Sequence, residues 1–146
     1  MAEFSDRELE SLTSARVGHL ATADKNARPH VIPVCFSTDG RYIYSVLDQK
    51  PKRTALTRLR RVKNILANPQ ATLLVDHYEE DWGNLWYIMV SGRADLVMEG
   101  QEQTIAVALL REKYRQYREM DITLNPVIKI TPENIVSWGV ELGGHA

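Results

Sequence analysis

The residues with the clearest chemical potential sit in one stretch, DQKPKRTALTRLRRVKNILANP, from Asp48 to Pro69. It reads as a strand end running into a basic helix. A helix N-terminus presents free backbone N–H groups and the positive end of its dipole, which already favours an anion. Lys50, Lys52, Arg53 and Thr54 add two ammonium groups, a guanidinium and a hydroxyl at that end, a set matched to a phosphate monoester. The same residues also suit a solvated amphipathic helix with its charges in water, but their crowding at the helix start favours phosphate. Arg58, Arg60, Arg61 and Lys63 lie further along and cannot all meet one phosphate. Each reads as an ordinary solvated helix charge unless the ligand has a longer anionic tail.

Aromatic residues are the next signal. Trp82, Trp86 and Tyr87 cluster around the EEDW segment and Trp138 lies near the C-terminus. Core or interface packing accounts for such residues, and a planar heterocycle resting on them is the functional alternative. His19, His30, His77 and His145 are isolated and no HExxH is present, so no metal site is expected. Neither GxSxG nor GxGxxG occurs. The single cysteine, Cys35, can form no internal disulfide and reads as a small buried apolar residue. No side chain is required to act as acid, base or nucleophile, which fits chemistry carried by a cofactor.

The elements that must position these groups follow from periodicity. SDRELESLTSARV predicts a helix over 5–14 with Ser5 or Asp6 as N-cap. GHLATAD, PHVIPVCFS and YIYSVLD predict three strands joined by turns. Pro33 has no N–H to donate, so its strand must be irregular, at an edge or open to a ligand there. A helix is expected from Pro51 to Ala67 with Ala55, Leu59, Val62 and Leu66 on its apolar face. Two strands follow, ATLLVDHY and LWYIMVSGRADLV, and then a helix over 100–118 with Ile105, Ala108, Leu109 and Tyr117 inward. NPVIKITPENIVSWGVE predicts two closing strands around a TPEN turn. Seven strands that do not alternate regularly with helices point to an α+β, mainly antiparallel barrel.

At 146 residues, 44% apolar and 25% charged, the chain reads as one soluble domain over 1–146. No run approaches a membrane span, and the acidic start lacks a secretory pattern, so a cytoplasmic location is expected. Net charge is −1, yet seven of the 18 basic residues and none of the 19 acidic ones fall between Gln49 and Val75. One basic segment on an otherwise acidic chain suits a small anionic ligand better than a nucleic acid.

In their order and spacing, ARVGHLATAD, RPHVIPVCF, YIYSVLDQKPKR, NILANPQATLLVDHYEEDW and the closing VSWG resemble the pyridoxamine 5′-phosphate oxidase-like split-barrel flavoproteins. KPKR and HYEEDW resemble the branch that uses the deazaflavin coenzyme F-420. The resemblance implies a split β-barrel of the FMN-binding type with flanking helices, forming a homodimer with cofactor sites at the subunit interface. It implies that Ile32, Pro33 and Val34 lie along the ring and Ser45 near the ring or ribityl chain. Lys52, Arg53 and Thr54 would hold the phosphate, with Trp86 and Tyr87 of the second subunit as far wall. The tail SWGVELGGHA carries no Arg or Lys, unlike true pyridoxamine phosphate oxidases, so that substrate is not expected. The function implied is hydride transfer by coenzyme F-420 to a small-molecule acceptor. The alternatives are an FMN-dependent oxidoreductase of the same fold or a non-catalytic flavin or deazaflavin carrier.

Overall fold

The structure is a computed structural model that describes residues 1–48 and 56–140. Helix α1 covers Asp6–Ser14 and opens with a capping box: the Ser5 hydroxyl accepts the Glu8 N–H, and the Glu8 carboxylate accepts the Ser5 N–H. Such a cap contributes about 1 kcal/mol. Strand β1 (Gly18–Ala23) turns back into β2 (Pro29–Val34) through a loop in which the Asp24 carboxylate accepts the N–H groups of Asn26 and Arg28. Next come β3 (Ser37–Thr38) and β4 (Ile43–Val46), then α2 (Arg60–Ala67), β5 (Gln70–His77) and β6 (Trp86–Val97). Helices α3 (Gln101–Lys113) and α4 (Arg115–Arg118) precede the last strand, β7 (Val127–Trp138).

All seven strands join one antiparallel sheet in the order β2-β1-β5-β6-β7-β4-β3. The sheet curls into a half-barrel with helices flanking it, the split-barrel architecture. Leu20, Phe36, Leu73, Val75, Ile88, Val90, Ile128 and Ile130 fill its interior. A second cluster, with Tyr44, Val46, Val107, Leu110, Tyr117 and Val127, packs under α3 and α4. β2 bonds only to β1, so Pro33 sits on an edge strand, one of the placements its missing N–H allows.

The closing segment is one strand of 12 residues rather than two around a turn. A bulge absorbs TPEN: Gly92 faces Pro132 while Ser91 faces Asn134, leaving Glu133 as the extra residue. Gly92 makes this possible, because a Cβ there would lie 2.0 Å from the Thr131 carbonyl oxygen. The segment PHVIPVCFS is likewise split, between β2 and β3. Tyr114 holds the break: its buried hydroxyl accepts the Phe36 N–H at 3.0 Å and can donate to the Arg16 carbonyl at 3.0 Å.

Both long helices differ from expectation in phase. Leu59 is extended (φ −60°, ψ 144°), so the helix expected from Pro51 to Ala67 is interrupted there and resumes at Arg60. The restart turns Arg61, Val62, Asn64 and Ile65 inward and leaves Leu66 66% exposed. Similarly, Tyr114 is extended and divides the expected 100–118 helix into α3 and α4. The inward face of α3 is Gln103, Ala106, Val107 and Leu110, whereas Ile105 is exposed. Gln103 tolerates burial because its amide donates to the carbonyls of Thr123 and Asn125, both at 2.9 Å.

Candidate functional site

β2 lies at one edge of the sheet and β4 next to the other, so side chains from both meet only because the sheet curls back on itself. They do meet. A cavity of about 410 Å³ is lined by Ile32, Pro33 and Val34 of β2, Ser45 and Val46 of β4, then Val17, Cys35, Asp48 and Arg61. Its volume lies in the range of small-molecule sites, and most of its wall is apolar. Ile32, Pro33, Val34 and Ser45, which the family resemblance joins in one site, therefore line the same cavity.

The polar side of this cavity is built by packing. Arg61 is only 8% exposed, although its neighbours Arg58, Arg60 and Lys63 face solvent as ordinary helix charges do. Its Nε–H has no hydrogen-bond partner among the described residues. Burial lowers the guanidinium pKa, and the Asp48 carboxylate works in the opposite direction. The Tyr117 hydroxyl donates to Asp48, and burial first, then that bond, raise the Tyr117 phenol pKa. Ser45 is buried at the same wall. Arg61 departs from its expected role as a solvated charge because the break at Leu59 rotates α2. Its spacing from Val62 and Ile65 carried that signal once the helix start was placed at Arg60. Asp48 was also missed, and the one clue to it is that it is the last acid before the basic run.

Lys50, Lys52, Arg53 and Thr54 lie outside the described residues. Trp86 and Tyr87, neighbours on β6, point to opposite faces of the sheet. The Trp86 indole stacks on His77 with ring centres 6.3 Å apart, and the Tyr87 ring stacks on Trp138 at 6.2 Å. Neither lines the 410 Å³ cavity of its own chain. Trp86 instead lines a larger opening of about 820 Å³ with α1, His19, Asp76, His77 and Glu79. There the histidines are paired rather than isolated, with His77 Nε2 2.5 Å from Glu79 and His19 Nδ1 3.9 Å from Asp76. Among the described residues no three His, Cys, Asp or Glu side chains gather as metal ligands. None of their helices is long and apolar enough to cross a membrane.

A curled antiparallel sheet whose two ends close on a part-apolar, part-charged cavity defines the split-barrel class of folds. Residues 4–139 match the pyridoxamine 5′-phosphate oxidase family, and the chain belongs to that family. Solved structures with the same fold include a conserved hypothetical protein from Mycobacterium tuberculosis (18% identity, TM-score 0.75, 94% of this chain and 86% of that one). An F-420 reductase is similar at 21% identity and TM-score 0.64, over 87% of this chain and 94% of that one. HutZ, the haem storage protein of Vibrio cholerae, is similar at 15% identity and TM-score 0.66, over 91% and 92%. No curated protein sequence matches the chain.

Proposed function

We propose that the protein is an oxidoreductase that uses coenzyme F-420, or alternatively FMN, to pass a hydride to a small-molecule acceptor. The carrying observation is the 410 Å³ cavity, which joins an apolar strand wall to a buried cation with an unpartnered N–H. Those residues fit a planar heterocycle with polar edge groups. Ile32, Pro33 and Val34 back the ring and Ser45 lies at its side. Lys50, Lys52, Arg53 and Thr54, which follow Asp48 closely in the chain, hold the phosphate. When bound, the reduced deazaflavin supplies the hydride. The chain's residues orient it and keep water from the reacting face. The KPKR and HYEEDW segments and the likeness to an F-420 reductase support the deazaflavin over FMN. So do the exposed Arg58 and Arg60, which suit a long anionic tail that FMN lacks.

The working unit in this reading is a homodimer. The outer face of the sheet exposes Val31, Tyr87, Val136 and Trp138, between which Ala21, Leu74 and Met89 are half-buried. This apolar band crosses five strands, and a second copy would cover it and bring Tyr87 of the partner subunit to the cofactor, whereas Trp86 lies on the other face of the sheet. Trp138→Glu is expected to convert the dimer to monomer in sedimentation, whereas removing cofactor is not; a dimer unchanged by Trp138→Glu refutes this interface.

Fluorescence titration of the apoprotein with coenzyme F-420 and with FMN at physiological salt tests the cofactor. Tighter deazaflavin binding supports the reductase, FMN preference supports the alternative, and binding of neither ends both. Turnover of acceptors by the reduced holoprotein then separates an enzyme from a carrier.

A further inference from the structure

The polar groups of the cavity form an unusual set for an anion site. A phosphate pocket gathers donors and excludes carboxylates, because a like charge within a few ångström costs binding in a low-dielectric wall. Here the Asp48 carboxylate lines the same cavity as the Arg61 guanidinium and the buried Ser45 hydroxyl. One oxygen of Asp48 already accepts the Tyr117 hydroxyl, which fixes the carboxylate in place. Arg61 keeps an Nε–H with no partner among the described residues although it is more than nine-tenths buried. A buried donor left unpaired is costly, and a ligand oxygen is the natural acceptor for it. A firm donor, a firm acceptor and a hydroxyl that can do either together match a neutral edge on which carbonyl oxygens flank an N–H.

We propose that Arg61, Asp48 and Ser45 read the imide edge of a heterocycle seated on the Ile32–Val34 strand, Arg61 donating to a ring carbonyl and Asp48 accepting the ring N–H. The assignment rests on the cofactor reading above and extends it to the end of the ring that this cavity takes. Flavins and deazaflavins share that imide edge, so the assignment holds for either. It separates two jobs within one basic stretch: the segment around Lys52 and Arg53 neutralises charge, and Arg61 recognises a neutral group.

Methylating the imide nitrogen removes the N–H and leaves every phosphate unchanged. The experiment is a fluorescence titration with coenzyme F-420 and FMN, each beside its 3-methyl derivative. The expected result is that the wild-type protein binds the methylated form of whichever parent it accepts at least ten-fold more weakly. Asp48→Asn should shrink that gap to three-fold or less. Arg61→Lys, which keeps the charge and loses the planar fork, should weaken parent and derivative together. Thermal melting of each apoprotein confirms folding, and the ratio of two ligands on one folded variant is insensitive to a general loss of stability. If the parent binds and its methyl derivative binds equally well, the edge assignment is wrong while the cofactor reading stands. If neither parent binds, both are wrong.

Discussion

Lys113 and Arg61 both turn inward from helices, and the chain partners them differently. Lys113, at the end of α3, donates to the Leu12 carbonyl at 3.0 Å, and its ammonium lies 3.9 Å from the centre of the Phe36 ring. Arg61, on α2, is more deeply buried, yet its Nε–H has no partner among the described residues and its side chain borders a cavity. Lys113 ties α1 and the Phe36 segment ahead of β3 to α3 with groups of the chain itself, at the border of an opening of about 380 Å³. Arg61 has a buried Nε–H that the described residues leave unpaired, beside a cavity of ligand size. A buried charge is therefore informative about function when it leaves a buried donor unpaired, and about architecture when the chain itself partners it.

The harshest way to break this comparison is to remove the curl that gives Arg61 its cavity. Gly92→Val puts a branched side chain where even a Cβ would meet the Thr131 carbonyl oxygen at 2.0 Å. The bulge between β6 and β7 has to open, with an expected loss of about 3 kcal/mol or more. A urea midpoint unchanged from wild type would show that the bulge is not needed. The paired variants Arg61→Met and Lys113→Met test the comparison directly. Arg61→Met should weaken cofactor binding ten-fold or more while apoprotein stability moves by no more than about 1 kcal/mol, since an apolar side chain of similar volume relieves a buried charge. Lys113→Met should leave cofactor affinity unchanged. Equal effects of the two on affinity would erase the distinction drawn between them.

The comparison also marks where the sequence was readable and where it was not. Most strand positions and the mainly antiparallel barrel follow from turn residues and alternation, which are local signals; edge placement is one of the three options open to Pro33, and the split-barrel class comes from the family resemblance. The inward turn of Arg61 does not follow from local signals, because it depends on a backbone break at Leu59 that interrupts the 3.6-residue period. The inner face of α3 was misread for a related reason: Gln103 looks like a surface residue, and its burial is allowed only by carbonyls some twenty positions away. The TPEN segment has a turn's composition, but Gly92 on the neighbouring strand lets it pass as a bulge. Such long-range permissions are invisible to a window of sequence. For the candidate site, Ile32, Pro33, Val34 and Ser45 came from the family resemblance and line one cavity, whereas Asp48 and Arg61 are added to that cavity by the packed structure.

The smallest effect, and the finest probe of the Lys113 side of the comparison, is in pH. Burial, reinforced by the nearby Arg16 guanidinium, pushes the Lys113 ammonium down to about 8 from its ordinary 10.5. Below pH 8 both folded and unfolded chains hold the proton, and the folded state carries the full cost of a half-buried charge. Between about 8 and 10.5 the unfolded chain binds a proton that the folded chain has shed, so stability rises with pH across that window. Tyr114 acts in the other direction: burial pushes its phenol up to about 12, so above its ordinary value of 10.0 the unfolded chain loses a proton that the folded one keeps. The Lys113 contribution is thus read cleanly from pH 8 to about 9.5. Thermal melts there should show the wild-type apoprotein gaining stability with pH and Lys113→Met gaining less. An identical slope in both proteins would mean that the ammonium, despite its ring and carbonyl partners, is solvated like a surface lysine, and the contrast with Arg61 would lose its architectural half.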